Sequence, residues 1–255
     1  MNYQFDFKDK IVVVTGASRG IGRNIAVGFG SLGANVVLVS RNKDQLEETA
    51  ALVQDAGGEA TVIPADLSVL GNIQEAVATI KQNYPRIDIL INNSGVTRRK
   101  PSTEVTEEDW DYIMDLNQKS YFFMCQAVGK EMMKQGYGKI VNIASVGGVI
   151  GITKSAPYSS SKGGVVLFTK VLACEWAKYN IQVNAVGPGY IHTELVANAI
   201  KDQEFLNTIT SRTPSRRLGN PDEVVGGVLY LASDLANYVT GHTLMIDGGL
   251  TAYGV

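Results

Sequence analysis

Residues that bind metals or form disulfides are scarce in this sequence. Among its 255 residues, only two are cysteine and two are histidine. Cys125 and Cys174 are isolated within helical patterns and have neither metal-ligand spacing nor the arrangement of a disulfide framework. We expect both to be buried or partly buried packing residues in a reducing compartment. His192 and His242 lie far apart without evident partners, which disfavours a zinc site and a Ser-His-Asp triad.

Long apolar runs and a strong excess of one charge are also absent. No apolar stretch approaches the ~18–20 residues that a membrane-spanning helix requires. The net charge is −2, so no basic stripe predicts nucleic-acid binding. The N-terminal stretch MNYQFDFKDK lacks the basic and apolar regions of a signal peptide. We therefore expect a cytoplasmic protein that binds neither membranes nor nucleic acids and holds no metal.

Buried-strand patterns alternate with helical patterns along the chain. The predicted strands lie at 11–14, 35–39, 60–63, 87–92, 139–143, 181–186 and 243–246. The predicted helices lie at 20–32, 43–56, 70–83, 107–135, 157–178 and 221–232. This alternation predicts an α/β fold with a doubly wound, seven-stranded parallel sheet and helices on both faces. Residues 1–255 suit a single domain, in which an irregular segment of about 187–220, with a helical piece near 194–209, is expected to cover the substrate.

A glycine-rich turn follows the first predicted strand. After the apolar run at 11–14, Gly16, Gly20 and Gly22 give the spacing Gly-x-x-x-Gly-x-Gly, and a helical pattern begins. Such a turn brings backbone N–H groups and the positive end of a helix close to a phosphate. The alternative is a glycine-rich turn without a ligand. The second buried strand that follows the helix favours a dinucleotide.

The end of the second predicted strand bears on the choice of cofactor. Dinucleotide-binding folds place a carboxylate there for a free ribose 2′-hydroxyl, or an arginine nearby for a 2′-phosphate. Here Ser40 and Arg41 occupy the position without an acidic residue, and Arg19 lies in the glycine-rich turn. We infer a preference for NADP(H) over NAD(H). The alternative is that both arginines are ordinary solvated surface residues.

Tyr158 and Lys162 form the pattern with the clearest chemistry. They are four residues apart in a helical stretch, so their side chains share one face. A phenol has an ordinary pKa of about 10, and a neighbouring ammonium stabilises the phenolate and lowers that pKa. The pair therefore predicts an acid and base, with Ser145 upstream as a hydrogen-bond donor to the reacting oxygen.

Together these motifs resemble those of the short-chain dehydrogenase/reductase family over nearly the whole chain. Residues 15–22 resemble the family's TGxxxGxG loop, and residues 92–95 resemble its NNAG motif with Ser94 where alanine is usual. Residues 188–193 and 247–249 resemble its PG…T and DGG stretches. The resemblance implies a Rossmann fold and the interconversion of a secondary alcohol and a ketone with NADP(H).

The resemblance also implies the residues of the site. The implied catalytic residues are Asn117, Ser145, Tyr158 and Lys162. The implied cofactor-binding residues are Gly16, Ser18, Arg19, Gly20, Ile21, Gly22, Ser40, Arg41, Asp66, Leu67, Asn93, Ser94, Gly95, Tyr158, Lys162, Pro188, Gly189, Ile191 and Thr193. Lys162 is expected to hold the nicotinamide ribose as well, and Asn117 to hold a water that connects Lys162 to solvent. A cofactor-binding sensor without catalysis is the alternative, which the intact catalytic set disfavours.

The sequence says less about the substrate. Arg98 and Arg99 follow the fourth predicted strand, where they are suited to pair with a carboxylate, as in sugar-acid dehydrogenases such as gluconate 5-dehydrogenases. A merely solvated pair of arginines is the alternative. The chain also resembles 3-oxoacyl-[acyl-carrier-protein] reductases, whose acidic partner requires a basic docking patch, and Lys139 and Lys178 are candidates for it. A broad-range carbonyl reductase is a further alternative.

The expected partners are a small carbonyl or alcohol substrate and further copies of the chain. Members of the resembled family are usually homotetramers, and the helices predicted at 107–135 and 157–178 are the candidate interfaces. The second of these helices is apolar on more than one face, so most of its surface must be covered.

Overall fold

In the computed structural model, which describes residues 5–197 and 199–253, one seven-stranded parallel sheet forms the centre of the molecule. The strands are β1 (Ile11–Thr15), β2 (Asn35–Ser40), β3 (Glu59–Pro64), β4 (Ile89–Asn92), β5 (Gly138–Ile143), β6 (Ile181–Pro188) and β7 (Thr243–Ile246). Their order in the sheet is β3-β2-β1-β4-β5-β6-β7, with every neighbouring pair parallel. The predicted doubly wound architecture is confirmed. Its strand order reverses between β1 and β4, which is where such sheets bind ligands.

Helices connect the strands. They are α1 (Gly20–Gly30), α2 (Lys43–Asp55), α3 (Leu70–Asn83), α4 (Glu107–Met114), α5 (Ser120–Gln135), α6 (Ala156–Trp176), α7 (Glu194–Ala197), α8 (Gln203–Arg212) and α9 (Pro221–Ala232). The helix predicted at 107–135 is in fact two helices, α4 and α5, joined by a π-helical turn at Asp115–Lys119. The helical piece predicted near 194–209 is likewise divided into α7, a 3-10 turn at Ala199–Lys201, and α8.

The first strand contributes to two apolar layers, because successive side chains of a strand point to opposite faces. Val12 and Val14 pack in the cluster that contains Phe29 of α1, whereas Val13 packs in the cluster that contains Met124 of α5. All five side chains are fully buried. A sheet covered on both faces leaves polar ligands access only at the strand ends.

The beginning of α4 anchors the loop that follows β4. Thr106 Oγ1 accepts a hydrogen bond from Asp109 N at 3.2 Å, and the Asp109 carboxylate accepts one from Thr106 N at 3.3 Å. The same buried carboxylate also binds Lys100 and Arg98. These two cations hold the pKa of Asp109 well below its ordinary range. Arg98 and Lys100 of this loop are thereby fixed against α4.

The two cysteines differ in their surroundings. Cys125 is buried as expected, and burial raises the pKa of its thiol to about 12. Cys174 is exposed, so the prediction that it packs in the interior is wrong. Its helix α6 turns Leu172 and Trp176 inward and position 174 outward. Among the described residues, no cluster of three or more His, Cys, Asp or Glu side chains is placed to hold a metal ion. Within 5–197 and 199–253, no helix has the length and apolar character needed to cross a membrane.

Candidate active site

The glycine-rich turn after β1 depends on the absence of side chains at two positions. Gly16 has φ +62°, and a Cβ there would lie 2.9 Å from the backbone N of Ser94. A Cβ on Gly22 would lie 2.2 Å from the carbonyl oxygen of Gly16. No larger residue fits at either place without moving the backbone. The glycine spacing in the sequence therefore reports a close approach between this turn and the loop after β4.

Side chains of β1 and the loop after β4 hold the turn in place. Thr15 Oγ1 accepts hydrogen bonds from the backbone N–H groups of Asn93 at 2.9 Å and Ser94 at 3.2 Å. The Asn93 side chain donates in return to the carbonyl oxygen of Gly16 at 3.1 Å. Ser94 is buried, so a small residue is required where the family motif has alanine. The two loops form one rigid edge of the sheet.

A cleft of ≈ 760 Å³ lies along this edge. Gly20 begins α1 at its wall, and Arg19, which precedes the helix, provides no side-chain cap for its first N–H groups. Uncapped N–H groups at a helix N-terminus are suited to bind a phosphate. The residues present therefore fit a dinucleotide, with room for it in the cleft and a phosphate cradle at its centre.

One end of the cleft is basic. Ser18, Arg19, Ser40 and Arg41, which are predicted to bind the cofactor, line it. Arg41 is exposed, with its Nη1 3.9 Å from the carboxylate of Asp66. Arg19 forms an ion pair with Glu194 of α7, across the cleft. Both guanidinium groups are therefore within the cleft and neither is buried.

A second cavity of ≈ 150 Å³ adjoins the first and shares wall residues with it. Ser145, Tyr158 and Lys162, three of the predicted catalytic residues, all line this second cavity. We call the larger space the cofactor cleft and the smaller one the catalytic cavity. Residues common to both are Ile21, Asn93, Gly95, Thr97 and Thr193. Pro188, Gly189 and Ile191, which were predicted to bind the cofactor, line the catalytic cavity.

Three predicted site residues line neither space. Gly22 lies beneath the glycine-rich turn against Gly16. Asp66 lies beside the cofactor cleft, and its carboxylate accepts hydrogen bonds from Ser68 N at 3.0 Å and Ser68 Oγ at 2.7 Å. The following residue, Leu67, does line the cofactor cleft. Asn117 lies behind the catalytic cavity.

Ser145 and Tyr158 face each other from different elements. Ser145 follows β5 and precedes a 3-10 turn, where its Oγ accepts a hydrogen bond from Gly147 N at 3.0 Å. Tyr158 lies in the first turn of α6, and its phenol is hydrogen-bonded to the Ser145 hydroxyl. Burial raises the pKa of Tyr158; the bond from Ser145 lowers it, and the nearby phenol of Tyr190 adds to the increase. Tyr158 is therefore a protonated phenol at neutral pH.

Lys162 lies one turn further along α6. Its Nζ donates hydrogen bonds to the carbonyl oxygen of Ile143 at 2.7 Å and to the hydroxyl of Tyr121 at 3.2 Å. Burial lowers the pKa of Lys162 to about 7. The prediction that Lys162 lowers the pKa of Tyr158 is wrong, because burial dominates both groups and leaves the lysine only partly charged at neutral pH.

Asn117 lies in the π-helical turn between α4 and α5 and is fully buried. Its side chain donates to the carbonyl oxygen of Val96 at 2.8 Å and accepts from Val96 N at 2.8 Å. The amide therefore fixes the loop after β4, which forms a wall of both cavities. A single π-helical turn inside a helix frequently marks a functional site.

Sequence patterns missed several side chains of the catalytic cavity. Tyr190 and Phe205, from the segment after β6, line it, and their rings are perpendicular at 6.0 Å between centroids. Tyr121 lies behind it, in contact with Lys162. The only sequence signal for Tyr121 is its position four residues after Asn117, which places it on the same helical face.

The chain matches known oxidoreductases over almost its entire length. A family model described as Enoyl-(Acyl carrier protein) reductase matches residues 16–251. A gluconate 5-dehydrogenase of Gluconobacter oxydans (strain 621H) is 39% identical over 247 residues, which cover 97% of this chain and 96% of the relative. An NAD-dependent glycerol dehydrogenase of Listeria innocua serovar 6a is 42% identical over 247 residues, with the same coverage of 97% and 96%.

A solved structure supports the same relationship. The crystal structure of a gluconate 5-dehydrogenase from Burkholderia cenocepacia J2315, in complex with NADP and tartrate, aligns with a TM-score of 0.92 and 35% identity, covering 98% of each chain. Because a family model and relatives of this identity match nearly the full length, the chain belongs to the short-chain dehydrogenase/reductase family and is an oxidoreductase that acts on CH–OH groups.

Proposed function

We propose that the enzyme uses NADP(H) to interconvert a secondary alcohol and a ketone in a sugar acid or a related small polar carbonyl compound. The observation that carries this proposal is the position of Arg99. Arg99 lines the catalytic cavity together with Ser145 and Tyr158, and its guanidinium stacks on the Phe205 ring, with Cζ 4.2 Å from the centroid. A guanidinium beside the reacting groups is suited to bind a substrate carboxylate through two hydrogen bonds.

The neighbouring arginine has a different environment. Arg98 pairs with Asp109 at 3.0 Å and with Glu108 at 3.5 Å, and its Cζ lies 4.1 Å from the ring centroid of Tyr112. Arg99 forms no ion pair among the residues described. The pair noted in the sequence therefore divides into a structural arginine and one available to a ligand.

The names of relatives agree with this proposal in part. Two relatives of similar overall coverage are named for gluconate, which has a carboxylate, and one is named for glycerol, which has none. Docking of an acidic carrier protein receives less support. Lys139 is fully buried and donates to Asn237 at 2.6 Å, so it is not part of an exposed basic patch.

The preference for NADP(H) rests on Arg19 and Arg41 at the basic end of the cofactor cleft. The 2′-phosphate is the part of NADP(H) that would meet these guanidinium groups. The related gluconate 5-dehydrogenase that was crystallised with NADP supports the assignment. The glycerol dehydrogenase relative is named NAD-dependent, and affinities for NADPH and NADH distinguish the two cofactors.

The catalytic residues divide the work of carbonyl reduction. The nicotinamide supplies the hydride to the carbonyl carbon when it is bound. Tyr158 is protonated at neutral pH, so its phenolic proton passes to the carbonyl oxygen and yields the alcohol. Ser145 stabilises the charge that develops on the same oxygen. Lys162 orients the cofactor through its ammonium, and Asn117 holds the wall beside it. In alcohol oxidation Tyr158 accepts the proton instead.

We assign the segment of about 187–220 to covering the substrate. Tyr190, Val196 and Phe205 all come from this segment and line the catalytic cavity, which supports the assignment. The whole of residues 1–255 is proposed to be one domain, because a single sheet includes strands from Ile11 to Ile246.

Self-association into a homotetramer is also proposed. Phe122 of α5 and Leu167 and Val171 of α6 are large apolar side chains on the protein surface, with Leu167 64% exposed. A second copy covering α5 and α6 would bury them. A single-chain mass by sedimentation equilibrium would contradict the proposed homotetramer.

A cytoplasmic location stays a prediction of the sequence.

A comparison of substrates tests the proposed function. Steady-state kinetics with NADPH should show turnover of 5-ketogluconate in preference to an acetoacetyl thioester and a simple ketone. Replacing Arg99 by alanine should raise KM for 5-ketogluconate about tenfold or more and leave KM for the simple ketone unchanged. Arg212→Ala, an equal loss of charge at the exposed end of α8, is the matched control. Preferred turnover of the thioester, or equal effects of Arg99→Ala on all substrates, would contradict the proposal.

A further inference from the structure

Lys162 also contacts a buried phenol, Tyr121, which belongs to none of the sequence motifs. Tyr121 of α5 is 1% exposed, and its hydroxyl accepts a hydrogen bond from Lys162 Nζ at 3.2 Å. The Tyr121 hydroxyl donates in turn to the carbonyl oxygen of Ile143 at 3.3 Å. That carbonyl also accepts from Lys162 Nζ at 2.7 Å. The lysine, the phenol and the carbonyl therefore form a closed triangle of hydrogen bonds.

The geometry leaves the ammonium with one free direction. A lysine ammonium has three N–H donors and no acceptor. The Ile143 carbonyl and the Tyr121 hydroxyl take two of them. Lys162 lines the catalytic cavity, so its third donor is directed there. The Tyr121 oxygen accepts a hydrogen bond from the lysine, because the Tyr121 hydroxyl proton is donated to the Ile143 carbonyl.

We propose that Tyr121 is a positioning residue for the reaction: its hydroxyl and ring stabilise the charged form of Lys162 and direct the remaining N–H towards the cofactor. The inference rests on the role given to Lys162 in the proposed function. The Tyr121 ring lies beside the ammonium, with Nζ 4.7 Å from the centroid, which adds a cation–π interaction. Tyr121 lines neither cavity, so it acts through Lys162 and not on the substrate.

The other groups around Lys162 explain why its charge depends on the Tyr121 hydroxyl. The titratable groups that face it are two phenols, Tyr121 from α5 and Tyr158 from α6, with the Cys125 thiol behind Tyr121. Strand β5 presents only the carbonyl of Ile143. Burial is the cause of the lowered pKa of Lys162, and no carboxylate of the described chain offsets it. Burial also raises the pKa of Tyr121 well above its ordinary value, so this phenol stays neutral.

The test removes one hydroxyl and measures Lys162 directly. Protein containing lysine labelled with ¹³C at the ε-carbon is titrated by NMR, and Lys162→Met identifies the Lys162 signal. In Tyr121→Phe the pKa of Lys162 should move about one pH unit lower, because a hydrogen bond to a charged group is lost. The alkaline limb of kcat/KM should move with it. At pH 7 the charged fraction of Lys162, and with it the rate, should fall roughly fivefold.

Two further variants separate positioning from structural support. Tyr84→Phe removes a phenol hydroxyl that is bonded to Thr61 Oγ1 at 2.8 Å, near the other edge of the sheet, and should leave the pKa of Lys162 unchanged. Tyr121→Met removes the ring as well and should shift the pKa further than Tyr121→Phe. If Tyr121→Phe and Tyr121→Met are folded but leave the pKa of Lys162 and the pH profile unchanged, the inference is overturned.

The readouts distinguish this inference from the substrate assignment. The NMR titration needs no substrate, so failure to turn over sugar acids leaves it unaffected. Unchanged Lys162 titration with normal turnover of 5-ketogluconate would overturn only the role of Tyr121. In a Lys162→Met background, adding Tyr121→Phe should cause no further loss of NADPH affinity. An additional loss there would show that Tyr121 acts independently of Lys162 and would also contradict the inference.

Discussion

The cofactor cleft and the catalytic cavity meet at Gly95 and Asn93 but are built in different ways. The cofactor cleft, at ≈ 760 Å³, is shaped by backbone, with glycines at the turn after β1 and exposed arginines at one end. The catalytic cavity, at ≈ 150 Å³, is shaped by side chains, of which Tyr158 is half-buried and Lys162 is buried, and burial shifts the pKa values of both. We therefore expect the affinity for the cofactor to depend on close backbone approach and exposed charge, and the reactivity to depend on the desolvation of Tyr158 and Lys162.

This difference predicts that substitutions in the two spaces affect different steps. The largest effect is expected for Tyr158→Phe, which removes the proton donor and keeps the ring. Turnover should fall by about 10²–10⁴-fold, as for other general acids. NADPH affinity, measured by fluorescence titration, should stay within a few-fold. Tyr190→Phe, in the same cavity, is the matched control and should change turnover only slightly. A Tyr158→Phe enzyme that retained most of its activity would contradict the assignment of Tyr158 as the proton donor.

The next effect concerns the backbone of the cofactor cleft. In Gly22→Ala, the new Cβ would lie 2.2 Å from the Gly16 carbonyl oxygen, so the turn must move. The free energy of unfolding should fall by about 1–3 kcal/mol, and NADPH affinity should fall as well. Gly226→Ala is the matched control, since a Cβ on that α9 residue has open space around it. It should raise the free energy of unfolding by about 0.5–1 kcal/mol. Equal effects of the two substitutions, by urea titration, would be inconsistent with this account.

The smallest effect concerns charge at the end of the cofactor cleft. Arg41→Ala should weaken NADPH about tenfold, because an exposed guanidinium paired with a phosphate contributes little more than that. NADH affinity should not change, since NADH has no 2′-phosphate. Dissociation constants for both cofactors, measured at one ionic strength, give the comparison. Equal weakening of NADPH and NADH would remove the basis for the NADP(H) assignment.

The cofactor cleft was largely predictable from the sequence for a physical reason. Gly16 and Gly22 are required by backbone contacts that any other residue would break, so their spacing alone indicates the turn. The alternation of strands and helices likewise follows from local periodicity, and all seven strands were predicted. Arg41 was predicted to bind the cofactor because it follows β2 directly, at the end of the sheet where ligands bind.

The catalytic cavity was predictable only in part. Ser145, Tyr158 and Lys162 were identified, but burial reversed the expected pKa shift of Tyr158. Burial depends on how α5 and α6 pack, which no local pattern records. The contact of Tyr121 with Lys162 also depends on the packing of α5 against α6.

The different environments of Arg98 and Arg99 could not be predicted from the sequence either. Arg98 forms an ion pair with Asp109 of α4, which is a contact between different elements. Arg99 lines the catalytic cavity instead. The π-helical turn at Asp115–Lys119 is a single inserted turn that leaves the helical periodicity on either side intact. Both features arise from tertiary packing, which overrides local propensity.

The most direct test of the account is a crystal structure of the enzyme with NADP and a sugar-acid substrate. We expect the reacting oxygen of the substrate to lie about 2.6–3.2 Å from both Tyr158 Oη and Ser145 Oγ, beside the nicotinamide C4 atom, with the substrate carboxylate on Arg99. A nicotinamide ring bound away from Tyr158, or a substrate whose reacting carbon faces a different part of the protein, would contradict it.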